Sequence, residues 1–263
     1  MQNIKLFISL AFRSEGTKQY YNDAIYDFNA IHMRKYIQAL GKEIISSAQG
    51  MEDSEVSEIE FGIGAFNNQL VSDMEDLYEI INKNFRLSKN VKVVLHATPG
   101  GMDFYKFTVG RHFHDAEIIL EFPSLNNEDL INKGYKSNKD QIIEILKLSH
   151  DLQYPSLSVE IDNGEYLNET LELLSQYKLL SVYFKNKLNE NQLNKVQNIL
   201  KPVGYKYLDN YFSRSASSLT ETEQLGSGIN AINRFSDISY KNTDDLDLYL
   251  QYSDDFEKIA HKI

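Results

Sequence analysis

Short runs rich in Val, Ile, Leu and Phe alternate with segments of helical periodicity along most of this chain. The predicted strands are 4–12, 59–66, 91–98, 117–122, 156–161 and 179–185, and the predicted helices are 29–48, 70–86, 138–151, 166–177 and 190–200. Parallel strands need crossover connections, which helices commonly supply, and strands covered on both faces are continuously apolar. We therefore predict the α/β class and a partial (β/α)6 TIM-like barrel of parallel strands with outer helices. Periodicity alone also allows a doubly wound sheet.

The remainder of the chain is less regular. Segment 203–240 contains short strand patterns and a Gly-Ser-Gly turn at 226–228, and 243–261 predicts a helix. With only four prolines and no clear linker, we expect one barrel domain over 1–263, with 203–263 packed on it as a C-terminal extension. The acidic runs at 52–60 and 244–247 predict solvated caps and loops.

The chain contains no cysteine, which excludes disulfides, thiolate zinc sites and ordinary cysteine-ligated iron–sulfur clusters. Its net charge of −11 disfavours nucleic acids and anionic membranes as partners. No apolar run approaches the ~20 residues that span a bilayer, and the N-terminus predicts a strand rather than a signal peptide. We expect a cytoplasmic protein.

Several polar residues follow predicted strands, where a β/α barrel carries its chemistry. His96 ends the third strand, as a base or ligand, or as a hydrogen-bonded pocket-lining residue. Glu121, Glu160 and Asp162 predict either a carboxylate pair for acid–base chemistry or an ion-pair network, with Arg13 or Lys185 as the cation.

A His-Phe-His-Asp run at 112–115 has the i, i+2 spacing that puts both imidazoles on one face of a strand. It precedes the fourth strand and so falls at the amino end, which contributes stability rather than chemistry. We expect no metal site there.

Six segments carry a resemblance to a known family: LFISLAFRSEGTKQY (6–20), FGIGAFNNQL (61–70), NFRLSKNVKVVLHATPGG (84–101), ILEFPSLNNEDL (119–130), SLSVEIDNG (156–164) and LGSGINAINRFSDISYKNTDDLDLYL (225–250). Their order and spacing resemble the radical-SAM proteins of the oxygen-independent coproporphyrinogen III oxidase type. The resemblance implies a radical-SAM barrel over roughly 4–250 and an expectation that the family's further C-terminal domain is missing.

In that family the first segment carries the CxxxCxxC motif whose thiolates hold a [4Fe–4S] cluster. The three positions fall on Arg13, Thr17 and Tyr20, at the same spacing. A guanidinium has no lone pair to offer iron, and one phenolate cannot hold a cubane. The resemblance therefore implies a degenerate member with no metal centre.

The family's SAM-contacting residues are also replaced. Its Glu falls on His96, its Gln on Pro123, its Arg on Tyr135 and its Asp on Glu160. Each lost buried contact costs ~1–3 kcal/mol, so SAM binding is disfavoured and no cofactor is expected. Candidate pocket-lining residues at the former cluster and SAM positions are Gly62, Gly64, Ser124, Arg13 and Tyr20; the candidate catalytic residues are His96, Glu160 and Tyr135.

Three functions follow from these departures. The first is a pseudoenzyme that binds a protein partner, with an active radical-SAM enzyme or another enzyme of its pathway as the partner that the resemblance suggests. The second is a repurposed, cluster-free enzyme with a pocket around His96 and Glu160. The third is a non-radical SAM or small-molecule binder that uses the groove at Gly62–Gly64.

Overall fold

The structure, a computed structural model, describes residues 2–13, 15–16, 26–62, 64, 69–215, 223–235 and 238–263. The strands within these ranges are β1 (Gln2–Ser9), β2 (Phe12–Arg13), β3 (Tyr26–Asp27), β4 (Ser54–Gly62), β5 (Leu87–Ala97), β6 (Glu117–Glu121), β7 (Leu157–Ile161), β8 (Ser181–Phe184), β9 (Lys206–Leu208), β10 (Tyr211–Ser213), β11 (Glu223–Ser227), β12 (Ile232–Phe235), β13 (Ile238–Asn242) and β14 (Ala260–Lys262). The α-helices are α1 (Ala30–Ala48), α2 (Val71–Asn84), α3 (Phe104–His112), α4 (Asn127–Asn132), α5 (Lys139–Asp151), α6 (Leu167–Leu174), α7 (Glu190–Leu200), α8 (Leu246–Tyr252) and α9 (Phe256–Ile259).

The chain forms two compact units, which are described separately. Unit 1 consists of Met1–Ser14, Tyr21–His96 and Glu221–Ile263. Unit 2 consists of Glu15–Tyr20 and Ala97–Thr220. The prediction of a single domain with a 203–263 extension stays a prediction.

Unit 1 is built on a sheet of order β14-β13-β12-β11-β1-β4-β5. Strand β1 pairs in parallel with β4 and β11, and β4 pairs in parallel with β5, whereas β12, β13 and β14 continue as an antiparallel meander. Helix α1 begins where the Asn29 side chain accepts hydrogen bonds from the N–H groups of Ile31 and His32. The α1 residues that turn inward at helical spacing, Tyr36, Leu40 and Ile44, are fully or almost fully buried.

Unit 2 is built on a sheet of order β6-β7-β8-β10-β9, in which β6, β7 and β8 are parallel and β10 is antiparallel to both of its neighbours. Helices α5 and α7 follow capping boxes, made by Asn138 with Gln141 and by Asn189 with Gln192. These capped starts fix where the chain enters each helix after the carboxyl ends of β6 and β8.

Each sheet has one apolar and one polar face, because side chains alternate along a strand. In β4, Ile59 and Phe61 are fully buried, while Glu58 and Glu60 lie on the opposite face and are partly exposed. In β7, Val159 is fully buried and Glu160 lies opposite. The polar faces carry the ionisable residues that a functional site needs.

The α/β class with a mostly parallel sheet is confirmed, and each predicted strand and helix up to 200 has a counterpart. Helices α3 and α4 were not predicted. The helix predicted at 243–261 is wrong, since this segment forms α8, α9 and the strand β14. The acidic run at 52–60 is not mainly loop, because most of it is β4. Among the described residues, no helix is long and apolar enough to cross a membrane.

The 112–115 run is not a strand, so the i, i+2 spacing of His112 and His114 does not place the two side chains on one face of a strand. His112 ends α3, and Phe113 is the C-cap of that helix. His114 and Asp115 follow with positive φ angles of 59° and 54°. The described residues contain no group of three or more His, Asp or Glu side chains placed to hold a metal.

Candidate functional site

Arg13 lies in β2 and is fixed by an ion pair within unit 1. Its Nε and Nη2 atoms donate to Asp27 Oδ1 over 2.9 and 2.8 Å. The Arg13 side chain is 12% exposed, whereas that of Asp27 is 83% exposed. The buried Nη1 atom of Arg13 has no hydrogen-bond partner among the described residues. Asp27 therefore binds the Nε–Nη2 edge of the guanidinium, and the Nη1 atom is not part of this ion pair. Thr17 and Tyr20 lie outside the described residues.

Gly62 and Gly64 follow β4 and allow close packing against the β1–β2 segment. A Cβ on Gly64 would lie 2.8 Å from the Phe12 carbonyl oxygen, and a Cβ on Gly62 would lie 2.8 Å from the Phe7 ring. Neither distance is compatible with a side chain unless a neighbour moves. Both glycines are therefore packed closely against the chain's own atoms, and the groove predicted at Gly62–Gly64 stays a prediction.

His96 belongs to a charged network on the polar face of the unit 1 sheet. Its Nε2 atom is 3.2 Å from Glu60 Oε1, and Lys5 contacts both Glu60 and Glu58. Burial opposes ionisation of Glu60, but the hydrogen bond and charge of His96, together with Lys5, lower the pKa of Glu60 to about 2. Glu60 is therefore an ionised carboxylate that orients the imidazole.

Glu43 is a second carboxylate of unit 1, buried in α1 at 2% exposure. Its oxygens accept hydrogen bonds from the Gly228 N–H (2.7 Å), Asn242 Nδ2 (2.7 Å) and the Tyr249 hydroxyl (2.5 Å). Burial raises the pKa of Glu43 to about 7, although these hydrogen bonds act in the lowering direction. The sequence did contain a signal, because Glu43 falls on the helical stripe of Tyr36, Leu40 and Ile44.

Glu160 lies at the carboxyl end of β7 in unit 2. It is paired in register with Glu121 of β6, so two carboxylates sit side by side on the polar face. Lys185 follows β8 and is influenced by both charges and by that of Asp162. Burial lowers the pKa of Lys185 although the neighbouring carboxylates oppose the shift. Glu121, Glu160, Asp162 and Lys185 form what we call the carboxyl-end cluster.

Asp162 also joins a smaller ion-pair group below this cluster. Lys133 Nζ is 2.7 Å from Asp162 Oδ2 and 2.9 Å from Asp129 Oδ1. The Ser124 hydroxyl donates to Asp129 Oδ2 over 2.7 Å and accepts from the Asn126 N–H. Ser124 therefore helps to fix the start of α4, and the adjoining cavity of about 80 Å³ is too small for more than a few waters.

Sequence reasoning missed Glu15, which is only 4% exposed in unit 2. Its carboxylate accepts hydrogen bonds from the loop after β5 and from the loop between α4 and α5. Tyr135, in the latter loop, is 5% exposed, and its N–H donates to the Leu130 carbonyl oxygen. The signal available in the sequence was that Glu15 is an acidic residue between Arg13 and Thr17, two of the positions that the resemblance assigns to cluster ligands.

No family model matches this chain, and no curated protein matches it. Among solved structures, it is similar to coproporphyrinogen III oxidase (HemN) from Escherichia coli, a radical-SAM enzyme. The similarity has a TM-score of 0.82, covers 99% of this chain and 71% of the HemN chain, and rests on 15% sequence identity. The chain has a HemN-like radical-SAM fold.

The residues at the positions that the sequence resemblance assigns to cluster ligands do not fit an iron–sulfur cluster. A cubane needs soft thiolate donors, and the chain has no cysteine. Arg13, at the first position, presents a cation that is already engaged by Asp27. A guanidinium held in this way would repel iron rather than bind it.

The predicted site residues are distributed over both units. His96, Gly62, Gly64 and Arg13 belong to unit 1, whereas Glu160, Tyr135 and Ser124 belong to unit 2. Within unit 2, Glu160 lies with the predicted Glu121, Asp162 and Lys185. A shared pocket around His96 and Glu160, the roles of these residues and their pocket lining stay predictions.

Proposed function

We propose that this chain is a pseudoenzyme: a partial (β/α)6 barrel of the radical-SAM type that binds a partner protein and performs no cluster-dependent chemistry. The partner of this proposal is an active radical-SAM enzyme or another enzyme of the same cytoplasmic pathway. The proposal includes no resident cofactor and no tight SAM site.

The Arg13–Asp27 ion pair is the observation that carries this proposal. A permanent cation stands at the first ligand position, where a cluster would need a thiolate, and a carboxylate of the same chain balances its charge. Here two guanidinium nitrogens at the first ligand position have an acceptor. Since the rest of the fold is retained, we infer that the barrel persists for binding rather than for catalysis.

Replacement at the SAM-contacting positions supports the same proposal. His96 is engaged by Glu60, and Pro123 offers no side-chain hydrogen-bonding group. A ligand that needs a carboxylate at the position of His96 and a side-chain amide at the position of Pro123 would lose both contacts, at ~1–3 kcal/mol each.

The test is anaerobic incubation of the purified chain with a strong reductant and SAM, with SAM cleavage products measured over hours. We expect no product above the protein-free control. Multiple turnovers in the chain alone would refute the proposal. The same assay with added iron and sulfide distinguishes a chain that lost its cluster during purification from one that cannot hold it.

A repurposed, cluster-free enzyme is the second candidate, and the carboxyl-end cluster favours it. Lys185 has a lowered pKa next to the paired carboxylates Glu121 and Glu160, and such perturbation is typical of acid–base sites. Lysine reactivity profiling tests this candidate. Selective modification of Lys185 well below the pH at which exposed lysines react would support it, and reactivity equal to that of exposed Lys195 would count against it.

A further inference from the structure

Glu15 occupies a seat made of neutral donors from two loops of unit 2. The Gly100 N–H donates to Glu15 Oε1 over 2.5 Å, and the N–H groups of Lys136 and Ser137 donate to Oε2 over 2.9 and 3.1 Å. The Ser137 hydroxyl lies 3.2 Å from Oε2 and 3.4 Å from Oε1. A concave set of main-chain N–H groups is an anion-binding arrangement.

The seat is shaped for a carboxylate in particular. The main-chain N–H groups of the two loops engage different oxygens of Glu15, which matches a planar, two-oxygen group. A Cβ on Gly100 would lie 2.9 Å from Glu15 Oε1, so a larger residue there would require the Glu15 carboxylate to shift. The Gly16 N–H donates to the Gly134 carbonyl oxygen over 3.0 Å and holds the backbone beside the seat.

A cavity of about 460 Å³ opens next to this seat within unit 2. Gly100 and Ser137, two of the donor residues, also line the cavity. Met102 and Ile145 contribute apolar wall to it. The seat and the cavity therefore share two residues, Gly100 and Ser137, and this shared wall is the basis for assigning a ligand's apolar chain to the cavity.

Two further carboxylates set the charge that such a ligand can carry. Asp103 and Glu144 line the same cavity and are exposed. Asp103 is engaged as the N-cap of α3, accepting from the Lys106 N–H. Both repel a second negative charge, so a dianion or a phosphate is disfavoured relative to a monoanion.

We propose that this seat is an exchangeable binding site for a small monocarboxylate with a short apolar chain, and that Glu15 occupies it as a tethered internal ligand. This site goes beyond the proposed partner-binding function and does not depend on it. Because a tethered carboxylate competes at an effective concentration in the millimolar range or above, the wild-type chain binds the external ligand more weakly than a chain without Glu15.

The test is chemical rescue of Glu15→Ala by propionate, followed as the thermal unfolding midpoint Tm at constant pH and ionic strength. Propionate carries the carboxylate and one carbon more than the two that the substitution removes. With a Kd of about 1 mM, ~50 mM propionate should raise Tm of the variant by about 4 °C. Wild type should gain less, about 2 °C if the tethered carboxylate competes at about 10 mM, because the external ligand must displace Glu15.

Three controls make the result specific. Propionamide has the same shape without the charge, inorganic phosphate has charge without the planar shape, and Glu144→Ala removes a carboxylate of the same cavity outside the seat. None of these should reproduce the propionate rescue. Glu15→Gln replaces one acceptor oxygen with an NH2 group, which faces the N–H donors of the seat. This variant replaces Glu15→Ala in the experiment if Glu15→Ala does not fold. Propionate should raise the Tm of Glu15→Gln more than that of wild type.

A propionate-specific gain that is larger in the Glu15 variants than in wild type supports the site. An absent gain, an equal gain in wild type, or an equal gain with propionamide overturns it. The assay contains neither iron nor SAM, so its outcome is separable from that of the pseudoenzyme proposal.

Discussion

Replacing Glu43 with glutamine should remove a pH dependence that the buried carboxylate imposes on stability. The pKa of Glu43 is raised from its ordinary value of 4.5 to about 7, mainly because the residue is buried in α1. Between these two values the folded chain holds a proton that the unfolded chain releases. Stability therefore falls as pH rises from 4.5 to about 7 and is level above that.

The magnitude follows from the same two values. The elevation to about 7 corresponds to about 3 kcal/mol in all, of which about 2.5 kcal/mol is lost between pH 5 and pH 8. In Glu43→Gln this loss should vanish. The amide oxygen can still accept from Gly228 and Tyr249, and Asn242 can turn its side chain, since its Oδ1 atom has no hydrogen-bond partner among the described residues.

The assay is urea unfolding of both chains at pH 5 and pH 8, comparing the change in unfolding free energy between the two pH values. Subtracting the change measured for Glu43→Gln from that measured for wild type cancels the contributions of the other titrating groups. Glu172→Gln, an exposed glutamate of α6, is the matched control and should behave as wild type. If wild type and Glu43→Gln change by the same amount within about 0.5 kcal/mol, the buried carboxylate does not control this dependence.

Other predictions concern unit 1. Glu60→Gln should destabilise the chain by about 2–3 kcal/mol near neutral pH, because the pKa of Glu60 is held at about 2 by His96 and Lys5. The difference in unfolding free energy between wild type and Glu60→Gln should shrink as pH falls from 4.5 towards 2. Urea unfolding at pH 7 and pH 3 measures it, and a difference that stayed constant would contradict the network. Gly64→Ala should cost ~2 kcal/mol or more, because its Cβ meets backbone atoms of Leu10 and Phe12, whereas Gly164→Ala, with open space around its Cβ, should cost less than ~1 kcal/mol. Equal midpoints in urea for the two alanine variants would refute the packing role of Gly64.

The regular elements were predictable where the apolar pattern is strong. The stripe of Tyr36, Leu40 and Ile44 identifies α1, and the apolar runs identify the parallel strands. Helix α3 was missed because its pattern is inverted at its start: Phe104 and Tyr105 are exposed, whereas Lys106 is buried. A prediction from periodicity assumes that hydrophobic residues face inward, so it does not detect a helix with exposed aromatic residues and a buried lysine.

The polar contacts were only partly predictable, because most of them join distant parts of the chain. Glu15 is 85 residues from Gly100 and 121 residues from Lys136, so no local spacing reveals the seat. The carboxyl-end cluster was foreseeable from the rule that strand ends converge, and Glu160, Asp162 and Lys185 follow it. The pairing of Arg13 with Asp27 follows from the pairing of β2 with β3, which no pattern in the sequence indicated.

The pseudoenzyme proposal rests on the claim that this chain cannot hold an iron–sulfur cluster. The most direct measurement is anaerobic reconstitution with iron and sulfide, counting both per chain after desalting, in wild type and in the triple variant Arg13→Cys, Thr17→Cys, Tyr20→Cys. We expect no bound cluster in wild type, because no thiolate is present. A stoichiometric cluster in the wild-type chain would contradict the claim and make His96 and Tyr20 the ligands to replace next.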